Sequence, residues 1–182
     1  FLNDCRSLKN FDVSKFNTEK VENMSKMFTY CVYFQNLEVS NFNTGLVKDM
    51  SYMFKGCVRL VSLDLSNFDT SQVTDMCGMF QECSSLTSLD VSKFKTNKVI
   101  DLSMMFQSVA VLTSLDVSNF DTSSSMDMYN MFGGCNSISS LDLRNFDTSL
   151  VKDMSLMSKM DERLKTLDVS NWNTAQVKNM KI

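Results

Sequence analysis

A strict 26-residue repeat constrains this chain more than any other feature. Phe16, Phe42, Phe68, Phe94, Phe120, Phe146 and Trp172 recur at that interval. Thr18, Thr44, Thr70, Thr96, Thr122, Thr148 and Thr174 follow them without a slip in register. Valine keeps a third column (Val21, Val47, Val73, Val99, Val151, Val177), interrupted by Ser125. Methionine keeps a fourth (Met27, Met53, Met79, Met105, Met131, Met157). One such unit cannot bury its own apolar residues, but units stacked on one another can.

Two apolar periods alternate inside the unit. Val73, Met76, Met79, Phe80 and Cys83 step by three, three, one and three, which predicts a short helix with Thr70 as its N-cap. Leu89 and Val91 alternate with Ser88, Asp90 and Ser92, which predicts a half-buried strand. Leu86-x-x-Leu89-x-Val91-x-x-Phe94 then reads as the strand segment of a leucine-rich repeat. The expected fold is an α/β leucine-rich-repeat solenoid of about seven 26-residue coils. It would carry a parallel strand ladder on one face and short helices on the other, as a single array over residues 1–182. Neither end shows a polar cap, so the array is expected to be a fragment of a longer solenoid. Any targeting segment would lie outside it. Ser158 and Asp161 replace Phe and Cys in their columns, so the sixth helix should be shorter or looser.

Composition removes several kinds of chemistry. Without histidine, triads and histidine-bearing zinc sites are excluded. No coil brings a nucleophile, a base and an oxyanion-binding group together, so neither an enzyme nor a cofactor is expected. Eighteen Lys and Arg scattered over a chain of net charge −3 form no basic stripe, which argues against nucleic acid. No apolar run is long enough to span a membrane.

All fourteen Phe fall on core positions of the repeat, Phe1, Phe11 and Phe34 included, and the methionines read as core filling. Met104 and Met126 lie off the inward columns and are candidates for exposure. Cys5, Cys31, Cys57, Cys83 and Cys135 share one column while Cys77 stands apart. They read as stacked buried thiols, with bridges between neighbouring coils as the alternative. Threonine suits capping or hydroxyl bonding between coils. The column Asn23, Asp49, Asp75, Asp101, Asp127, Asp153 and Asn179 suits a helix N-terminus.

The candidate binding surface is an acidic strip: Asp12, Glu38, Asp64, Asp90, Asp116, Asp142 and Asp168, each between inward apolar residues. Ser62, Ser88 and Ser114 precede the acids, and Ser66, Ser92 and Ser118 follow them. Solvent and these hydroxyls can offset the repulsion along the strip. A cationic partner surface or loosely held divalent ions would do so more specifically. Lys15, Lys93 and Arg144 interrupt the lanes.

The run 69–76, Met79-Phe80 and 83–92 resembles the 26-residue repeat of BspA-like leucine-rich repeat surface proteins, also called the mycoplasma lipoprotein repeat. The resemblance covers essentially the whole chain. It implies an extracellular, cell-surface-attached protein that mediates adhesion or other protein contacts, with no catalytic residues to carry over. The expected function is a non-enzymatic interaction module that binds a protein or cell-surface ligand through the strip. The alternative is a structural spacer or filament unit that self-associates by end-to-end stacking of coils.

Overall fold

The computed structural model describes residues 4–9, 11–159 and 163–181. Each repeat lies against the next in register. Parallel bridges join Asn23 to Asp49, Asp49 to Asp75, Asp75 to Asp101, Asp101 to Asp127, Asp127 to Asp153 and Asp153 to Asn179. Regular strand is confined to β1 (Ser140–Leu141) and β2 (Thr166–Leu167). They pair in parallel with Ser140 opposite Thr166 and Leu141 opposite Leu167.

The expected α/β leucine-rich arrangement does not form: among the described residues there is no helix. The segment read as helical is a run of tight turns. In one coil the amides of Met27, Thr29 and Cys31 donate to the carbonyls three residues back, at 3.3, 3.3 and 3.1 Å. The amides of Met24, Lys26, Phe28 and Tyr30 instead leave the coil and donate to Asp49, Ser51, Met53 and Lys55 of the next, at 2.7–2.9 Å. An α-helix would consume those donors internally.

The backbone dihedrals give the reason. Lys26 and Tyr30 have φ of 58° and 56°, and the same two columns are left-handed at Tyr52 and Gly56, Gly78 and Glu82, Met104 and Ser108, and Asn130 and Gly134. Positive φ at the third residue of a turn is the type II pattern, and right-handed helix cannot pass through it. Successive four-residue turns place 24, 28 and 31 inward, nearly the spacing a helix would give. The expected loosening of the sixth helix therefore has no helix to act on, and Asp161 lies outside the described residues.

The core runs along the stack. Phe28, Phe54, Phe80, Phe106 and Phe132 form a continuous pile, with centroids 5.7–5.8 Å apart and planes within 9° of parallel. The second phenylalanine column packs beside it, Phe120 against Phe106 at 6.3 Å and Phe146 against Phe132 at 6.5 Å. The methionines at 50, 53, 76 and 79 are fully buried. Phe11 departs from the core expectation at 38% exposure, and Phe1 lies outside the described residues. Met126 is exposed, as its off-column position indicated, and Met104 is partly so.

Threonine hydroxyls tie coils together rather than cap helices. Thr70 Oγ1 donates to Lys95 O at 3.0 Å and accepts from Lys95 N at 2.7 Å, and Thr44 does the same with Asp69. The cysteines are thiols, with no disulfide among the described residues. Cys57, Cys83 and Cys135 each donate to the carbonyl of Phe28, Phe54 and Phe106 at 3.2 Å. Burial pushes the Cys31 thiol up to about 11 and Cys83 to about 12. A thiolate is the reactive form, so labelling of the folded protein near pH 8 should reach the partly exposed Cys5 readily and leave Cys57 and Cys83 untouched. Mass spectrometry after brief alkylation, with and without denaturant, measures this.

Candidate functional site

The alternation that defines the acidic strip holds in the middle coils although regular strand is short, whereas Phe11 beside Asp12 and Val169 beside Asp168 are exposed. Asp12, Glu38, Asp64, Asp90, Asp116, Asp142 and Asp168 are all exposed, as are Ser62, Ser88, Ser114, Ser66, Ser92 and Ser118. Leu63, Leu65, Leu115 and Val117 between them are buried.

Local chemistry fixes the aspartates of the strip. Asp64 Oδ1 accepts the amide of Ser66 at 2.9 Å, Asp90 that of Ser92 at 2.9 Å, and Asp116 that of Ser118 at 3.0 Å. Asp12 and Asp168 repeat the arrangement with Ser14 and Ser170. The Asp-x-Ser pattern is thus a turn built from a carboxylate and the amide two residues on. These hydrogen bonds pull the acids at 12, 64, 90, 116 and 168 below the ordinary aspartate range. These five aspartates are therefore ionised throughout the neutral range.

Arg144 modifies one position. Its Nε and Nη2 reach the two oxygens of Asp142 at 2.9 and 2.5 Å, and its hydrogen bonds draw that acid down to about 2. Asp64, Asp90 and Asp116 form a run without such an arginine clamp, although the ammonium of Lys93 reaches the Ser66 carbonyl at 3.3 Å nearby. Among the described residues no group of three or more potential ligands could hold a metal ion.

The other acidic column has a different role from the one expected. With no helix to cap, Asp49, Asp75, Asp101, Asp127 and Asp153 face one another across the parallel bridges, half-buried. Amides close both ends: Asn23 Nδ2 donates to Asp49 at 3.0 Å and Asn179 Nδ2 to Asp153 at 2.7 Å. Burial, with Asp101 as a neighbouring like charge, pushes Asp75 and Asp127 up. Burial also presses Asp153 upward, but Ser155 and Asn179 outweigh it and leave Asp153 lowered.

Asp75 and Asp127 hold a proton more tightly in the folded state than in the unfolded chain. Their contribution to stability therefore falls as pH rises from the ordinary value of 3.8 through their raised values. Asp101→Asn removes the charge between them and keeps an acceptor for the Ser103 amide, 2.8 Å from Asp101. It should raise stability at neutral pH by about 0.5–1 kcal/mol and flatten that pH dependence, as read from urea unfolding.

Among the described residues no helix is long and apolar enough to cross a membrane. Comparison with curated proteins and with solved structures finds no match. A family model described as "Mycoplasma protein of unknown function, DUF285" matches residues 1–114 and again 85–182. These overlapping matches span the chain, which therefore belongs to that family.

Proposed function

We propose that the chain is a non-enzymatic adhesion or protein-interaction module displayed outside the cell, of the BspA-like kind, and that it binds a cationic protein or cell-surface ligand through the acidic strip. The observation that supports this reading is the run Asp64, Asp90 and Asp116: exposed, ionised at neutral pH and held in fixed orientation by Ser66, Ser92 and Ser118. Charges ordered before binding cost little to orient when the partner arrives, and an array of weak contacts gains strength through avidity.

Adhesion of chain-coated beads to cultured epithelial cells tests the proposal. The triple variant Asp64→Asn, Asp90→Asn, Asp116→Asn keeps each amide acceptor while removing three charges. Attachment should fall several-fold, and added salt should weaken the parent protein in the same direction. Undiminished attachment of a folded triple variant would discard the strip as the binding surface. Light scattering that showed mass rising with concentration would then favour end-to-end assembly.

A further inference from the structure

The two left-handed columns of the turn segment are the least regular positions of the repeat, and in adjacent coils they carry Tyr30 and Tyr52. Both rings lie across a glycine of the next coil. A Cβ on Gly56 would stand 2.2 Å from Tyr30, and one on Gly78 2.6 Å from Tyr52. Lys55 Nζ sits 5.7 Å from the Tyr30 centroid and 5.4 Å from that of Tyr52, and Lys26 Nζ sits 5.8 Å from Tyr52. Among the described residues Lys26 has no carboxylate within ion-pair distance, and Lys55 reaches only Glu82, at 4.0 Å.

Gln81 lines the depression between these groups and is 5% exposed. Its Nε2 donates to Gln107 Oε1 and to Met104 Sδ. Its Oε1 is the single buried side-chain oxygen or nitrogen without a hydrogen-bond partner among the described residues. A buried acceptor left without a donor costs about 1–3 kcal/mol, so the site lacks a group that donates. The Tyr52 ring and Gln81 Oε1 meet above Gly78, where a Cβ would stand 3.1 Å from the oxygen. A ligand hydroxyl reaches that oxygen only if the Tyr52 side chain, whose hydroxyl accepts from Cys77 Sγ at 2.9 Å, turns outward.

The missing partner has three properties. It bears negative charge for Lys26 and Lys55, offers a hydroxyl to Gln81 Oε1, and presents a flat C–H face to tyrosine. We propose that this depression binds an anionic saccharide, with its carboxylate or sulfate between the two lysines and its ring against Tyr30 and Tyr52. An acidic peptide satisfies the lysines but supplies no pyranose face for the two rings.

Met104 is the one methionine lining the depression, so methyl-labelled methionine reports binding without any mutation. Titration with 3′-sialyllactose and with a heparin-derived tetrasaccharide should shift the Met104 methyl and leave Met126 still. Lactose should shift neither. A response to only one of the two acidic probes would identify carboxylate or sulfate as the recognised group. Lys26→Ala with Lys55→Ala, and separately Gln81→Met, should each weaken binding about tenfold or more while circular dichroism stays unchanged. The proposal is overturned if neither acidic saccharide moves Met104 at millimolar concentration, or if a hexaglutamate peptide moves it and the saccharides do not. Full affinity in the folded lysine variant would overturn it too.

Discussion

Phe80→Ala is expected to lower the unfolding free energy by about 3–5 kcal/mol, the range for truncating a fully buried aromatic side chain. Its ring stacks on Phe54 and Phe106, both at 5.8 Å, so the cavity opens in the middle of a continuous pile and exposes two ring faces at once. Backbone hydrogen bonds on either side hold Gly78 and Glu82 to the next coil at 2.8 Å, which keeps the coil from collapsing into the gap. Phe11→Ala is the control: Phe11 is 38% exposed and should cost under about 1 kcal/mol. Urea unfolding followed by circular dichroism compares the two. Equal losses would show that the stack is not where stability resides.

Thr70→Val should cost about 2–3 kcal/mol although it barely changes volume. The hydroxyl both donates to Lys95 O and accepts from Lys95 N, so valine removes two hydrogen bonds and leaves a backbone donor and acceptor facing a methyl group. Thr70 itself is 1% exposed, which keeps water from replacing them. Thr70→Ser retains the oxygen and loses only a methyl, for a cost under about 1.5 kcal/mol. A valine variant as stable as the serine variant would remove the hydroxyl column from any account of how coils are joined.

These two columns also mark what the sequence makes readable. Residues that face the core or bridge coils recur in nearly every unit, because each meets the same surroundings in the next. Recurrence alone therefore places Phe68 inward, Thr70 between coils and Asp90 outward. Conformation is harder to read. The spacing of Met76, Met79, Phe80 and Cys83 suits a helix and a run of four-residue turns almost equally, since both return the chain to the same face about every fourth residue. What separates them is backbone handedness, and its trace lies in Gly56, Gly78 and Gly134: three of five glycines fall in the two left-handed columns. The absence of the helix changes the meaning of the Asp75 column too, since acids at a helix start would meet amides, whereas here they meet each other. Tyr30, Tyr52 and Gln81 escape notice for the opposite reason. They occupy columns that the repeat leaves variable, and recurrence gives no signal for what occurs once or twice.

The bridge register has a consequence at the level of the gene. Amides of one turn segment donate to carbonyls 25 residues ahead, and Thr74, Ile100, Met126 and Lys152 each donate to a carbonyl 26 residues behind. Recombination that inserts or deletes one whole unit preserves every such partnership, whereas loss of a single codon breaks all that cross it. A change in array length by whole units therefore leaves the register between coils intact. The length of the stack thus becomes a heritable quantity that changes in whole steps.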